Sequence, residues 1–307
     1  MIFLDSVLRG IGQVMFQNNA YAGILFLAGV FHSSALCGIA ALTGTMISTG
    51  TAILLGANAT KIRDGLFGFN GALTAIGLIY FFEPSVLAWG YVIFAAASST
   101  VLMAAALKYF ENRNLPTLTA PFVFTTLCFL LASARFGRLS TTQVLPHAGL
   151  PVSADVEGIV SLNTVFEGLI HGISQVFFQE NLVTGILFTL GLLISSRRSF
   201  VMALIGSILG LSTAWLLGAS EPAIRSGAFG FNSVLTAIAL GSVFLPSNAK
   251  SLGYAVLAAI VTTIAFASLS GALKPLGMPA MTLPFVVVTW IFLIGSRMFV
   301  KINPSEI

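Results

Sequence analysis

Long runs of hydrophobic residues, separated by short polar segments, follow one another along the whole chain. Several runs approach the roughly 20 residues that an α-helix needs to cross a bilayer. None shows the period of two that marks a membrane β-strand. The pattern therefore predicts an all-α bundle of membrane-spanning helices. In the first half, the predicted spans are Ile2–Gln17, Ala20–Cys37, Gly38–Leu55, Val86–Tyr109 and Pro116–Ala134.

Composition narrows the class further. Charged residues make up only 8% of the chain and hydrophobic residues 57%, with a mean hydropathy of +0.98. A soluble domain usually carries about 25% charged residues, so this chain has too few to cover a surface that faces water. We therefore predict an integral membrane protein. The net charge of +4 comes from basic residues scattered among connecting segments, and it gives no indication of a nucleic-acid partner.

Three motifs occur twice and in the same order. GQVMFQNNAYAGILF at 12–26 returns as SQVFFQENLVTGILF at 174–188, and LFGFNGALTAIGL at 66–78 returns as AFGFNSVLTAIAL at 228–240. Near the end of each half, LPTLTAPFV at 115–123 corresponds to MPAMTLPFV at 278–286. We therefore predict two homologous transmembrane repeats, 1–139 and 161–307, joined by a polar linker at 140–160.

The GFN segment, about Ile62–Phe82, decides the predicted topology because four glycines interrupt its apolar run. Glycine weakens a helix by about 1 kcal/mol relative to alanine, so we expect a break here, with Asn70 and Asn232 binding the loosened backbone. If the segment dips into the membrane and returns, each half crosses five times and the second half is inverted. If it crosses fully, each half crosses six times and the halves are parallel. Short glycine-interrupted segments at matching positions are typical of transporter binding sites, and we favour the inverted case, with a pore along the pseudo-twofold interface.

The distribution of basic residues does not settle the orientation in the membrane. With the N-terminus inside and five spans per half, equal numbers of Lys and Arg fall on the two sides. Arg197 and Arg198 then lie outside, against the tendency of basic residues to remain in the cytoplasm.

The ionisable residues constrain the function. No Asp, Glu, Lys or Arg lies in the middle of a predicted span, whereas an ion-coupled carrier usually keeps a carboxylate or His there. His32, His147 and His171 lie near segment ends without metal-ligand neighbours, so no metal or cofactor is predicted. The sequence also contains no HExxH, no GxSxG and no paired Asp at helical spacing, which argues against an intramembrane enzyme. These features favour passive movement of a neutral polar solute.

The duplicated motifs resemble those of the urea transporter family over nearly the whole chain. The resemblance is carried by GxxQV near the start of each half, FGFNG or FGFNS followed by xxLTAI in its middle, and LPTLTAPF or MPAMTLPF near its end. It implies ten spanning helices, two re-entrant pore segments and a pore inside each protomer. It also implies a homo-oligomer, with a trimer favoured and a dimer possible, and we expect it in a bacterial inner membrane.

The resemblance assigns eleven residues to the pore. It implies that two Phe–Leu pairs line a slot, that one further apolar wall is built near the start of each half, that two glutamines face inward as acceptors, and that two threonines lie at the middle. The slot pairs are Phe69 with Leu73 and Phe231 with Leu235. The further apolar wall is Phe16 in the first half, with Val176 and Phe178 as its counterparts in the second. The acceptors are Gln13 and Gln175, and the threonines are Thr119 and Thr282. Some bacterial members have Glu at the position of Gln175, and Gln retains an acceptor there. Pro116 and Pro279 are predicted to open the last helices.

The chemistry of urea agrees with this assignment. Urea is planar and carries four N–H donors and one acceptor oxygen, and each group left without a partner costs about 1–3 kcal/mol. A line of acceptors replaces its water, and aromatic walls exclude ions and larger solutes. We therefore expect facilitative urea transport without energy coupling. The alternatives are a channel for other small neutral amides or ammonia, and a coupled secondary transporter whose flux depends on sodium or pH.

Overall fold

The computed structural model describes residues 2–151 and 156–302. Within them, regular structure is helical apart from one isolated antiparallel bridge between Phe82 and Thr141. Met1, residues 152–155 of the predicted linker and residues 303–307 of the predicted second repeat lie outside the described residues.

The described residues form seven α-helices in each half of the chain. The first seven are α1 (Ile2–Gln13), α2 (Ala20–Ser33), α3 (Ala35–Leu54), α4 (Ala59–Arg63), α5 (Gly68–Phe81), α6 (Val86–Glu111) and α7 (Ala120–Ser133). The second seven are α8 (Leu162–Ser174), α9 (Leu182–Ser195), α10 (Arg197–Leu216), α11 (Glu221–Arg225), α12 (Phe231–Ile238), α13 (Ala249–Leu273) and α14 (Leu283–Ser296). Short 3₁₀-helices follow α8 at Gln175–Phe177 and α13 at Lys274–Leu276, and a π-helix at Ala239–Val243 extends α12.

The chain divides into two compact units. The first consists of Met1–Gly149 and Leu273–Pro279, and the second of Leu150–Ala272 and Ala280–Ile307. The first unit therefore includes the short segment that follows α13, where the Gly149 N–H donates to the Lys274 carbonyl at 3.2 Å. The predicted repeats, 1–139 and 161–307, were defined by sequence homology and not by compactness, so their boundaries stay predictions.

Four helices in the described residues are long and apolar enough to cross a membrane, namely α3, α6, α10 and α13 with its 3₁₀ extension. A fifth span results if α8 and α9, which meet at a bend of 75°, are counted as one. A 14-residue helix such as α5 or α7 is about 21 Å long, shorter than the hydrocarbon core of about 30 Å. The helices therefore fit a multi-pass integral membrane protein, and the number of ten crossings stays a prediction.

The expected break in the GFN segment, about Ile62–Phe82, occurs at its start, where Gly65 adopts φ of +72° between α4 and α5. It does not occur at the later glycines. Residues Gly68–Phe81 form one continuous, almost wholly buried helix. A Cβ at Gly71 would lie 2.4 Å from the Ser48 Cβ and 2.6 Å from the Gly44 carbonyl oxygen on α3. The glycine therefore allows two helices to pack closely, and the chain turns before α5 instead.

In the second unit, α12 and its π-helix run antiparallel to α10. A Cβ at Gly210 would lie 2.6 Å from the Phe229 carbonyl oxygen, and one at Gly206 would lie 2.7 Å from the Val234 Cα. Farther toward the start of α10, the hydroxyls of Ser199 and Ser242 are 3.0 Å apart. The GFN helix thus follows α10 over most of its length, whereas the sharp change of direction lies between α8 and α9.

The prediction that Pro116 and Pro279 open the last helices is also wrong. Helix α7 begins at Ala120 with Pro121 in its first turn, and α14 shows the same arrangement with its own first-turn proline. The predicted prolines belong to non-helical segments just before these helices. Each of these segments contains a left-handed residue, Leu118 in one (φ +53°) and Met281 in the other (φ +47°), so neither helix can start earlier.

Candidate functional site

Gln13 and Gln175 are held in the same way in the two units. The Gln13 Nε2 donates to the carbonyl oxygen of Asp64 at 2.8 Å, and the Gln175 Nε2 donates to that of Ser226 at 3.1 Å. Asp64 and Ser226 are the C-caps of α4 and α11. Since a carbonyl only accepts, the amide nitrogen must be the end that faces it. The Oε1 of each half-buried glutamine is therefore oriented as an acceptor.

Phe16 and Phe178 both adopt a left-handed backbone, with φ of +62° and +60°. This conformation costs a residue other than glycine about 1–2 kcal/mol. It is stabilised in each unit by a hydrogen bond from the Phe N–H to the carbonyl of Gln13 or Gln175, at 3.0 Å in both. The phenyl ring and the glutamine therefore belong to one tight turn at the end of the first helix of each unit.

A second glutamine in each motif secures this turn. The buried Gln17 donates its Nε2 to the Met15 carbonyl at 2.6 Å, and the buried Gln179 donates to the Phe177 carbonyl at 2.7 Å. Sequence reasoning did not assign a role to these residues. The duplication of QNN and QEN in the two motifs was the available signal.

Val176 and Phe178 were both predicted counterparts of Phe16, and the structure places them differently. Phe178 has the same backbone conformation as Phe16 and is partly exposed, whereas Val176 lies in the 3₁₀-helix and is 1% exposed. Phe178 is thus the residue whose position matches Phe16.

The predicted Phe–Leu pairs each share one face of a GFN helix, because residues four apart lie one turn from each other. Phe69 is 7% exposed, and Leu73 and Leu235 are fully buried. Phe231 is partly exposed, and its ring meets that of Phe266 edge to face with centroids 5.5 Å apart. Phe and Leu therefore form a compact apolar wall in each unit.

Asn70 lies beside Phe69 and binds the last helix of the first unit. Its Oδ1 accepts the N–H of Phe122 at 3.0 Å, and its Nδ2 donates to the carbonyl of Leu118 at 3.4 Å. One amide thus binds the left-handed residue and the first turn of α7. We expected Asn70 to bind its own segment, but the backbone that needs a partner belongs to α7.

Asn232 repeats this arrangement in the second unit. Its Oδ1 accepts the N–H of Phe285 at 3.2 Å, and its Nδ2 donates to the carbonyl of Met281 at 3.1 Å. Both asparagines are completely buried, so an unpaired amide at either position would carry the full cost of desolvation.

Thr119 and Thr282 lie between these contacts. They are the N-caps of α7 and α14, and neither side chain caps its own helix. Each is 3% exposed. The asparagine in the GFN motif therefore holds the backbone on both sides of the predicted pore threonine.

Charged groups surround Gln13 in the first unit. The Arg9 guanidinium bonds Asp5 at 2.7 Å and the Asn18 Oδ1 at 2.8 Å, and the Asn18 amide donates to the Asp64 carboxylate at 3.0 Å. Asp5, Arg9 and Asp64 also line an open cavity of about 580 Å³. Asp64, whose carbonyl anchors Gln13, thus also lines this open cavity.

The second unit has a different charged cluster at the corresponding end. Arg225 pairs with Glu167 at 3.0 Å and with Glu221 at 2.7 Å, and its carbonyl contacts the His171 Nδ1 at 2.8 Å. The hydrogen bond from Thr164, followed by that from Arg225, lowers the pKa of Glu221. The hydrogen bond to Glu221 raises the pKa of Arg225. Each acidic group of this cluster therefore has a cationic partner.

Duplicated polar and aromatic sites within apolar helices define a multi-pass helical membrane protein of the channel and transporter class. The sequence model of the family "UT: Urea transporter" matches residues 4–297, and the chain belongs to the urea transporter family. It is 31% identical to Urea transporter 1 of Ovis aries over 296 residues, which are 95% of this chain and 77% of that protein. Urea transporter 1 of Rattus norvegicus is 31% identical over 299 residues, with the same coverage. Members of this family are channels or transporters, and the protein is not an enzyme.

Proposed function

We propose that the protein conducts urea passively through a narrow slot lined by oriented amide oxygens and apolar walls. The observation that carries this proposal is the matched anchoring of Gln13 to the Asp64 carbonyl and of Gln175 to the Ser226 carbonyl. With one N–H donated to a carbonyl, each amide nitrogen is held toward the protein, and the oxygen is available to a permeant. The names of the similar mammalian proteins support urea as that permeant.

An acceptor beside a phenyl ring suits a flat molecule with several N–H donors. The glutamine oxygen replaces one water molecule of the solute. Because Phe16 or Phe178 belongs to the same turn as the glutamine, both groups are already positioned before the solute binds. Preorganised groups lose little conformational entropy when they bind. Sites that must also release the solute need weak binding, which neutral amide acceptors provide.

The positions of the charged residues also support passive conduction. The helices of the site, α5, α7, α12 and α14, contain no Asp, Glu, Lys or Arg. Asp5, Glu167 and Glu221 are paired with arginines, and the carboxylate of Asp64, next to Gln13, accepts a hydrogen bond from the Asn18 amide. A carboxylate that already has a cationic partner is a poor site for a coupling ion. The proposal therefore excludes sodium or proton coupling.

We further propose that α8, and by repetition α1, is the re-entrant element, in place of the GFN segment. The 75° bend between α8 and α9 supports this, as does the antiparallel course of α12 along α10. Each repeat then keeps five crossings, and an odd number of crossings inverts the second repeat in the membrane.

We also propose that the protein forms a homotrimer and lies in a bacterial inner membrane. Labelling of single cysteines in intact cells tests the topology, and light scattering of the purified protein tests the oligomer.

Stopped-flow light scattering of proteoliposomes tests the permeant. We expect urea to pass much faster than acetamide or glycerol, and at the same rate with or without sodium and proton gradients. Gln13→Leu or Gln175→Leu removes one acceptor, worth about 1–3 kcal/mol, and should lower urea permeability about 5- to 150-fold. Gln143→Leu changes an exposed amide outside the helices and should have no effect.

Two outcomes would contradict the proposal. Acetamide or ammonia permeating as fast as urea would make the protein a general channel for small neutral solutes. Urea flux equal to that of empty liposomes would remove the proposed activity altogether.

A further inference from the structure

Arg197 and Arg198 have no assigned role in urea passage. They form the first turn of α10, and Lys250 lies in the first turn of α13. The N-terminus of a helix carries a partial positive charge, so basic residues are unfavourable there unless an anion compensates them. Within the described part of the chain, none of the three has an acidic partner or a side-chain hydrogen bond.

A cavity of about 420 Å³ lies where the starts of α10 and α13 meet. Its polar lining comes from Arg198, Ser247 and Asn248. Both helices are membrane spans by length and composition. Their N-termini, and hence this cavity, therefore belong to one membrane interface, where lipid headgroups lie.

The remainder of the cavity is apolar, with Val201, Met202, Ile205 and Leu252 among its lining residues. Gly241 of the π-helix also lines it. A Cβ there would lie 2.2 Å from the Met202 Cε, so the absence of a side chain lets Met202 take this position. The cavity thus joins a cationic end to a hydrocarbon-like wall.

In the described part of the first repeat, the two arginines and the π-helix have no counterpart. Arg197 and Arg198 align with Ala35 and Leu36, and Gly241 aligns with Ile79 inside the regular helix α5. In the second repeat, the π-helix and Arg198 both line this cavity. The arginines and the π-helix therefore do not belong to the function that the two repeats share.

We propose that this cavity binds an anionic phospholipid, with its phosphate at Arg198 and one acyl chain along the apolar wall. Guanidinium groups bind phosphate through two parallel hydrogen bonds, and Arg197 and Lys250 add positive potential at the same interface. An apolar wall beside an arginine fits a lipid better than it fits inorganic phosphate, which has no group to place there.

Thermal unfolding of the full chain in detergent tests the site. Phosphatidylglycerol at about a hundredfold excess over its dissociation constant should raise the melting temperature by about 4 °C. Phosphatidylcholine should raise it much less. In Arg197→Gln/Arg198→Gln the phosphatidylglycerol shift should vanish. The matched control Arg135→Gln/Arg138→Gln removes the same charge from exposed positions after α7 and should keep the shift.

A second variant separates the lipid chain from its headgroup. Val201→Trp places a large ring on the apolar wall and should reduce the phosphatidylglycerol shift while both arginines remain. Three results would overturn the proposal: equal shifts with phosphatidylcholine, loss of the shift in the Arg135/Arg138 control, or an equal shift with inorganic phosphate. The last result would show a free-anion site.

Discussion

The Oδ1 of Asn70 accepts the N–H of Phe122 at 3.0 Å, so a buried side chain of α5 satisfies a backbone donor in the first turn of α7. The same amide reaches the carbonyl of Leu118, on the other side of Thr119. One residue of the GFN motif therefore positions a residue of the LPxxT motif. This contact explains physically why both motifs occur in each repeat.

Asn70→Leu should destabilise the protein, because it leaves the Phe122 N–H and the Leu118 carbonyl buried without partners. Each unsatisfied group costs about 1–3 kcal/mol. The melting temperature in detergent should fall, and urea flux per folded protein should fall with it as Thr119 loses its position. Gln143→Leu makes the same kind of change at an exposed site and is the control. An unchanged melting temperature would show that Asn70 does not hold α7.

Substitutions at Phe16 should reveal how much its left-handed backbone lowers the free energy of unfolding. Phe16→Gly and Phe16→Ala remove nearly the same side chain, but only glycine accepts φ of +62° freely. The glycine variant should therefore be more stable than the alanine variant by about 1 kcal/mol. At Phe26, buried within α2, the order should reverse, because glycine weakens a helix. The same order at both positions would contradict the backbone strain.

The sequence predicts much of this architecture, because hydropathy and duplicated motifs depend on local composition. The helical membrane class follows from it, and the pore roles of the glutamines and threonines stay predictions. The predictions that failed concern the structural roles of single residues, because such a role depends on a contact with a residue far along the chain. Gly71 indicates a helix break or a close helix contact equally well, and only the position of Ser48 on α3 decides between them.

The asparagines illustrate the same limit. An amide in an apolar run predicts a buried hydrogen bond, but the sequence does not name its partner. The partner of Asn232 lies about 50 residues away, at Met281 and Phe285. The left-handed backbone of Met281, which creates the need for that partner, has no signal in residue type, because methionine rarely adopts it.

Phe266 should position Phe231, the ring that we propose lines the pore, and it also meets Phe229 edge to face with centroids 5.4 Å apart. The aligned residue in the first repeat is Met103. Aromatic pairs contribute about 0.5–1.5 kcal/mol beyond their area, so Phe266→Met should loosen Phe231. We expect the ratio of urea to N-methylurea permeability to fall about 2- to 10-fold, as measured in proteoliposomes. Phe94→Met, at an exposed ring, should leave the ratio unchanged; an unchanged ratio in Phe266→Met would remove this role.

Glu221 gives a pH-dependent contribution to stability. Its pKa is lowered in the folded protein, first by the Thr164 hydrogen bond. Its stabilising effect is therefore complete above the ordinary Glu pKa of about 4.3, and is lost as pH falls through the lowered value. Glu221→Gln should melt at a lower temperature than the parent near pH 7, and the difference should vanish in acid. A difference independent of pH would show that the charge of Glu221 plays no part.

The two repeats place one serine–threonine contact on different helices. In the first repeat, Ser48 on α3 hydrogen-bonds Thr100 at 2.6 Å. In the second, the residue aligned with Ser48 is Gly210, and Ser233 on α12 hydrogen-bonds Thr263 at 2.7 Å. The hydroxyl and the small residue have thus exchanged helices while the contact persists.

This exchange predicts coupling between Ser48 and Gly71, the residue aligned with Ser233. Gly71→Ser alone should cost about 1–3 kcal/mol, because its Cβ would lie 2.4 Å from the Ser48 Cβ. Ser48→Gly alone removes the partner of Thr100. In the double variant the new serine on α5 occupies the space that the Ser48 side chain has left and restores a hydroxyl, although the Gly44 carbonyl still limits the recovery. The melting temperature of the double variant should therefore exceed that expected from the sum of the two single changes, with a coupling energy of at least about 0.5 kcal/mol. Simple additivity would mean that the two helices do not share this contact.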